Sequence, residues 1–130
     1  MGTRYLADSN ALIDFLAGRL PPQGKQLMFE VLDQGQLIVS VVTEIEVLGF
    51  QAPDDYLQKL QQLIDAAEVI PLADAAIIRE AIAIRRAARV KLPDAVIAAT
   101  AKVRGLTLLS RNENDFRRVH GLPVLNLHTL

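Results

Sequence analysis

Residues 37–42 read LIVSVV, an apolar and largely β-branched run in which Ser40 is the one polar side chain. Such a run predicts a β-strand buried on both faces, because a strand with one solvated face alternates apolar and polar positions. Strands of this kind are typical of parallel sheets that helices cover on both sides. The run therefore predicts an α/β fold.

The sequence on either side alternates between short strands and amphipathic helices. Further strands are predicted at residues 4–7, 69–70, 106–109 and 124–127. Helices are predicted at residues 25–33, 43–48, 54–67, 73–89, 94–103 and 112–119, and another follows a cap at Ser9. Strands separated by helices imply right-handed crossovers. We therefore predict a three-layer α/β/α fold with a short parallel sheet of about five strands, formed by residues 1–130 as a single domain.

The composition limits the chemistry. The 130 residues are 51% hydrophobic and 22% charged, which is typical of one globular domain. The absence of cysteine excludes disulfides and thiolate metal sites and fits a reducing cytoplasm, our predicted location. The two histidines, His120 and His128, are expected at the surface. No apolar run is long enough to cross a bilayer, so no membrane partner is expected.

The charge is unevenly distributed along the chain. The formal net charge is −1, yet residues 79–118 hold ten Lys or Arg against four Asp or Glu, a local charge of +6. The remainder therefore carries −7. A basic segment can face a phosphate-bearing partner, although a solvated helix face is the commoner explanation.

Acidic side chains stand at four predicted junctions where a strand or loop gives way to a helix. They are Asp8, Glu46, Asp94 and Asp115. Each alone has a structural explanation: Thr43 and Glu46 fit a capping box, Asn112 could cap the helix of Asp115, and the others could bind backbone amides. Taken singly, the two interpretations are equally good.

Together the four acids favour a functional site. The strand-to-helix junctions of a parallel sheet share one edge, where open α/β folds bind ligands. We expect Asp8, Glu46 and Asp115 to converge there, with Asp94 joining if its helix starts at the same cleft. Crowded carboxylates either take up protons or hold a cation. Oxygen donors without Cys or His select Mg²⁺ or Mn²⁺, which can assist attack on a phosphodiester.

Glu44 competes with Glu46 for the place at this edge. Two residues apart on a helix, their side chains diverge by roughly 200°, so only one can face the cleft. Periodicity alone leaves the choice open.

Four segments resemble the PIN-domain ribonucleases, most closely the small toxins of VapBC toxin–antitoxin pairs. They are YLADSNALID (5–14), SVVTEIEVL (40–48), LPDAVIAATA (92–101) and LLSRNENDF (108–116). Their order and spacing match, and the resemblance covers essentially the whole chain.

The resemblance implies a PIN-like fold, Mg²⁺- or Mn²⁺-dependent endoribonuclease activity, a cognate antitoxin and a homodimer. It places the catalytic and metal-binding acids on Asp8, Glu46, Asp94 and Asp115, and it prefers Glu46 to Glu44. Assisting polar groups fall on Ser9, Asn10 and Asn112. The basic residues at 85–91, together with Arg111, are expected to hold the RNA backbone by charge.

Two other functions are compatible with parts of the pattern. A non-catalytic PIN-like module could bind RNA or protein, but lost acids would mark it and none is missing. A Mg²⁺-dependent phosphatase of the haloacid-dehalogenase type also opens with an aspartate after its first strand. Its chemistry requires a second aspartate two residues on, where this chain has Asn10.

Overall fold

The computed structural model describes residues 2–130. In chain order its elements are β1 (Tyr5–Ala7), α1 (Ser9–Leu16), α2 (Pro22–Asp33), β2 (Ile38–Ser40), α3 (Val41–Leu48), α4 (Asp54–Asp65), β3 (Glu68–Ile70), α5 (Ala75–Ala87), α6 (Leu92–Arg104), β4 (Thr107–Leu109), α7 (Glu113–Phe116) and β5 (Val124–Leu125). No helix within this range is both long and apolar enough to cross a bilayer.

The strands form one parallel sheet in the order β3-β2-β1-β4-β5. Leu6 of β1 pairs with Ile38 of β2 on one side and with Leu108 of β4 on the other, so β1 is the middle strand. The strand order reverses between β1 and β4, and the crevice beyond the carboxyl ends of two such strands is where α/β sheets bind ligands. The predicted three-layer α/β/α fold with five parallel strands is confirmed.

Successive residues of the strands face two separate cores. Leu6 and Leu108 pack with side chains of α5 and α6 on one side of the sheet. Ala7 and Leu109 pack with α1, α2 and α4 on the other. The period of two along each strand therefore covers both faces of the sheet with apolar side chains.

The predicted strand over residues 37–42 is too long, and the predicted cap of the next helix is wrong. β2 ends at Ser40, whose Oγ accepts a hydrogen bond from the backbone N of Val42 (3.1 Å) and so caps α3. Thr43 lies fully buried inside α3, and within residues 2–130 its Oγ1 has no hydrogen-bond partner. The valines at 41 and 42 favour a strand locally, but tertiary packing overrides that weak preference.

Several helix boundaries also differ from the prediction. α2 and α6 start two or three residues earlier than predicted and take Pro22 and Pro93 into their first turns. Proline is tolerated there because a first-turn N–H has no partner within the helix. α5 starts two residues later, at the point where the Asp74 side chain accepts a bond from the N of Ala76 (2.8 Å). α7 and β5 are shorter than predicted.

Candidate active site

Asp8 lies at the carboxyl end of β1, where it caps α1. Its Oδ1 accepts a hydrogen bond from the backbone N of Ser9 (2.8 Å). Its Oδ2 accepts bonds from Ser110 Oγ (2.9 Å) and Asn10 Nδ2 (3.0 Å). Burial raises the pKa of this carboxyl and the charge of Glu46 adds to the rise, whereas the three hydrogen bonds oppose it. Asp8 is thus a buried acid whose ionised form is held by local donors.

Glu46 reaches the same edge of the sheet from α3. Ser9 Oγ donates a hydrogen bond of 2.6 Å to Glu46 Oε1. The charge of Glu46 also contributes to the raised pKa of both Asp8 and Asp94. Glu44 lies in the first turn of α3 and takes no part in these interactions among the described residues. Of the two glutamates, Glu46 is therefore the one beside the other acids.

Asp94 lies in the first turn of α6, facing the other three carboxylates. Burial is the largest cause that raises its pKa, from 3.8 to about 6. The charges of Asp8, Asp115 and Glu46 raise it further, in that order, and the Lys91 ammonium lowers it. The side chains of Asp8, Glu46, Asp94 and Asp115, hereafter the acid cluster, are thus close enough to repel one another.

Asp115 is oriented by a neighbour on its own short helix. Asn112 Nδ2 donates a hydrogen bond of 3.0 Å to Asp115 Oδ2. Asn112 occupies the position before α7, but its side chain makes no capping bond to that helix. The capping role considered for Asn112 is therefore wrong, and its amide contacts the fourth acid instead.

Ser110 is a polar residue of the site that the sequence reasoning missed. It is fully buried, donates to Asp8 Oδ2, and accepts bonds from Asn10 Nδ2 (3.2 Å) and the backbone N of Asn112 (3.0 Å). Strand register explains this placement: Ala7 of β1 pairs with Leu109 of β4, so the residues that follow them stand side by side. A polar residue directly after β4 was the available signal. Predicting its contact with Asp8 from that signal requires knowing that β1 and β4 are neighbours in the sheet.

Asp14 is a second missed residue, and it lies outside the acid cluster. Its carboxylate is 1% exposed and is contacted by Arg111 Nη1 (3.1 Å to each oxygen) and His128 Nε2 (2.9 Å). His128 is therefore not a free surface residue, contrary to the prediction, whereas His120 is exposed as predicted. The pairing engages one guanidinium nitrogen of Arg111, whose side chain is 52% exposed.

Exposed basic side chains border the acid cluster beside the start of α6. Lys91 directly precedes that helix, and its charge acts on Asp94. Arg85 and Arg86 lie in the last turn of α5, and exposed Arg89 follows in the connecting loop. Of residues 85–91, Lys91 is thus the one whose charge acts on a member of the acid cluster.

The acid cluster fits a hard divalent ion by the chemistry of its donors. Within residues 2–130, no three His, Asp or Glu side chains are placed so that together they could hold a metal ion as they stand. All four members are nevertheless carboxylates, and oxygen donors of this kind select Mg²⁺ or Mn²⁺. Burial and, after it, the charges of three neighbouring carboxylates raise the pKa of Asp94, and a nearby dication would offset that rise. Asp8, Glu46, Asp94 and Asp115 are therefore of the residue type that such an ion prefers.

The chain is thus an α/β domain with a parallel sheet and four acids at the edge where such sheets bind ligands. The chain belongs to the PIN domain family, whose model matches residues 5–122. Its class of activity is accordingly that of a nuclease, a hydrolase acting on nucleic acid.

Solved structures of toxin–antitoxin complexes are similar to this chain. A toxin–antitoxin complex from Klebsiella pneumoniae matches at 27% identity over 97% of this chain and 99% of that one, with a TM-score of 0.72. VapBC-5 from Mycobacterium tuberculosis matches at 25% identity, 95% and 97% coverage and a TM-score of 0.63. DNA-bound VapBC from Salmonella typhimurium shares the fold at 20% identity, 97% and 99% coverage and a TM-score of 0.79.

These matches confirm the resemblance to the VapBC toxins noted from the sequence. No curated protein sequence matches the chain significantly.

Proposed function

We propose that this PIN-domain protein is a metal-dependent endoribonuclease that acts as the toxin of a toxin–antitoxin pair. The observation that carries the proposal is Asp94, whose pKa is raised to about 6 by burial and by three neighbouring carboxylates. Crowded like charges cost folding stability, and strongly shifted acids in such a setting are typical of functional sites. The four carboxylates and the basic side chains beside them fit the cleavage of a phosphodiester.

The acids divide into holding and orienting roles in this proposal. Asp8, Asp94 and Asp115 would hold Mg²⁺ or Mn²⁺, and Glu46 would either hold it too or orient the attacking water. When bound, the ion stabilises the negative charge that develops on the phosphodiester and lowers the pKa of a water molecule. Ser9 supports the role of Glu46, because its hydroxyl fixes one oxygen of that carboxylate.

The assisting amides and hydroxyls have matching tasks. Asn10 and Ser110 both donate to Oδ2 of Asp8, which fixes the direction of that carboxylate. Asn112 does the same for Asp115. Such supporting bonds orient ligand carboxylates and typically change metal affinity or activity by 10–100-fold when removed.

The proposed substrate is an RNA whose backbone lies along residues 85–91. Exposed Arg85, Arg86, Arg89 and Lys91 supply the charge, so binding should weaken as salt rises. Because Arg111 is paired with Asp14, we assign it a smaller part in holding RNA than the sequence suggested. We also propose that the protein acts in the cytoplasm, a location that fits the absence of cysteine.

The proposed antitoxin partner follows from the similar structures. The similar structures belong to toxin–antitoxin systems, and on that basis we infer a cognate antitoxin for this chain. The homodimer stays a proposal that rests on the resemblance of the sequence to the VapBC toxins.

The proposal is tested by RNA cleavage with the purified chain. Total RNA should be cut in the presence of Mg²⁺ or Mn²⁺ and left intact with EDTA. Asp8→Asn should abolish cutting, because it removes one acid from the cluster while keeping its shape. Glu44→Gln is the matched control: it removes a carboxylate from α3 at a position away from the cluster and should leave cleavage unchanged.

The two alternatives give different outcomes in the same experiment. A non-catalytic module would bind RNA with metal present and never cut it. A phosphatase would form a trappable aspartyl-phosphate on Asp8. Asn10 argues against the phosphatase, because its Nδ2 donates to Asp8 and an amide cannot serve as an acid or base there.

A further inference from the structure

Asp14 is a buried carboxylate that the proposed chemistry does not use. It lies on α1, is 1% exposed, and faces cationic or imidazole groups from three other segments. Arg111 comes from the loop after β4 and His128 from the segment after β5. Arg19 lies just after α1, and its Nη1 is 3.6 Å from Asp14 Oδ1. A buried carboxylate is tolerated only with such partners. We call these four side chains the Asp14 cluster.

Arg111 connects the Asp14 cluster to the acid cluster. Its guanidinium is held by Asp14, and its backbone N donates a 3.0 Å hydrogen bond to Asn10 Oδ1. The other end of the same amide, Asn10 Nδ2, donates to Asp8 Oδ2. The orientation of the Asn10 amide is therefore fixed at one end by Arg111 and at the other by Asp8.

The loop that contains Arg111 also carries side chains that contact Asp8 and Asp115. Arg111 stands between Ser110, which donates to Asp8, and Asn112, which donates to Asp115. A loop held at its middle residue by a buried ion pair keeps both neighbours in register with their carboxylates. Asp14 thus acts on two members of the acid cluster without contacting either.

His128 anchors the cluster from the opposite side. The backbone N of His128 donates to Asn126 Oδ1 (2.9 Å), and Asn126 Nδ2 donates to Glu113 Oε2 in α7 (3.2 Å). The carbonyl of Leu127 packs so closely on α2 that a Cβ at Gly24 would lie 2.1 Å from its oxygen. The segment 126–128 is therefore fixed against α2 and α7, and it offers His128 to Asp14 from a rigid position.

We propose that Asp14 is a positioning residue for the acid cluster: its pairing with Arg111 and His128 fixes the 110–112 loop, and thereby Asp8 and Asp115, in the arrangement that binds the divalent ion. The part that concerns the ion rests on the proposed function, whereas the ordering of the loop does not. The competing interpretation is that Asp14 only stabilises the fold.

The experiment compares Asp14→Asn with Arg19→Gln in the full chain. Site-specific hydrogen exchange is measured at the amides of Arg111, which donates to Asn10, and Leu108, which donates to Pro123 within the sheet. Mn²⁺ affinity is measured by calorimetry. Arg19 also faces Asp14, but its side chain is 61% exposed and makes no bond to the loop among the described residues, so its variant removes a cation without touching the connection.

In Asp14→Asn we expect the Arg111 amide to exchange about tenfold faster, because the local opening of the loop becomes easier. We expect Mn²⁺ affinity to fall about tenfold, at the lower end for groups that orient metal ligands. Arg19→Gln should change neither quantity. Should Asp14→Asn fail to fold, His128→Ala is measured in its place, with His128→Gln as the rescue, because a glutamine amide can still donate to Asp14.

The proposal is overturned if only the Leu108 amide exchanges faster, since that reports global unfolding and a purely stabilising role. It is also overturned if the Arg111 amide exchanges faster while Mn²⁺ affinity stays unchanged. Absence of Mn²⁺ binding by the unsubstituted chain contradicts the proposed function instead, and the Arg111 exchange rate then still decides whether Asp14 orders the loop.

Discussion

The acid cluster and the Asp14 cluster each contain an aspartate from the first strand–helix unit: Asp8 lies between β1 and α1, and Asp14 lies in α1. The charges that surround the two aspartates are nevertheless opposite in sign. In the acid cluster, half-buried Asp94 faces three other carboxylates, and its pKa rises to about 6. In the Asp14 cluster, a carboxylate that is 1% exposed faces two arginines and a histidine. The more deeply buried acid is the better compensated one, so burial by itself does not identify the functional carboxylates.

The contrast teaches which kind of site each cluster is. Opposite charges around a buried acid offset its desolvation and hold segments together. Like charges around a buried acid add to its desolvation cost, and strongly shifted acids in such a setting are typical of functional sites. Substitutions in the two clusters should therefore change stability in opposite directions.

The largest expected effect is the loss of cleavage in Asp94→Asn. The substitution removes the carboxylate at the centre of the acid cluster while keeping its shape. We expect a fall of at least about 10³-fold, since metal-assisted charge stabilisation contributes several kcal/mol. Single-turnover cleavage of total RNA measures it, with circular dichroism as the control for folding. Full activity in this variant would remove Asp94 from the site.

The next effect is the destabilisation caused by Asp14→Ala. Arg111 and His128 lose their shared anion in this variant, and breaking a buried ion pair costs about 3–5 kcal/mol. Because the side chain of Arg111 is 52% exposed, we expect about 2–3 kcal/mol in urea unfolding. Arg19→Ala serves as the comparison and should cost less than about 0.5 kcal/mol. Equal losses of unfolding free energy in Asp14→Ala and Arg19→Ala would contradict the role of Asp14 as the shared anion of Arg111 and His128.

The third effect is a gain in stability, opposite to the loss expected for Asp14→Ala. Without metal, the free energy of unfolding of Asp94→Asn should be higher than that of the unsubstituted chain. The native pKa of Asp94, about 6, lies above its ordinary 3.8. The native state therefore binds the proton more tightly, and the stability due to Asp94 falls as pH rises from about 4 to 6. The full shift corresponds to about 3 kcal/mol, which we reduce to about 1 kcal/mol for a half-exposed group.

Urea unfolding in EDTA at pH 7.5 and pH 4 measures this difference. The advantage of Asp94→Asn should be present at pH 7.5 and absent at pH 4, where the unsubstituted aspartate is protonated in the native state. An advantage of equal size at both pH values would mean that the charge on Asp94 is not its cause.

The smallest expected effect belongs to Ser9→Ala. The hydrogen bond from Ser9 to Glu46 is exposed to solvent, so its loss should lower the free energy of unfolding by less than about 0.5 kcal/mol. Cleavage should fall by much less than in Asp94→Asn, because the carboxylate remains. Thermal unfolding and the RNA assay are measured side by side. A loss of stability as large as that of Asp14→Ala would show that this contact supports the fold.

Part of the acid cluster was predictable because its members follow strands. Asp8 and Asp115 stand just beyond β1 and β4, and parallel strands end at a common edge, so their approach follows from the alternation of strands and helices. Glu46 was left in competition with Glu44, because the choice depends on the hydroxyl of Ser9, which is 37 residues away in sequence.

The Asp14 cluster was not predictable from local pattern. Asp14 meets Arg111 and His128 across 97 and 114 residues, and an aspartate on an amphipathic helix ordinarily faces solvent. The start of α3 was misplaced for a related reason, since β-branched Val41 and Val42 favour a strand locally and are held in a helix by packing.

The sequence by itself determined the layered α/β fold and the edge at which its acids gather. Both follow from local properties, namely the periodicity of apolar residues and the residues that start and end the strands and helices. The tertiary structure decided what residue periodicity left open between Glu44 and Glu46, and it alone showed that Ser110 contacts Asp8 and that Asp14 pairs with Arg111 and His128. Those outcomes depend on the order β3-β2-β1-β4-β5 and on the direction of individual side chains. Both are set by contacts between residues far apart in the chain, which no local pattern records.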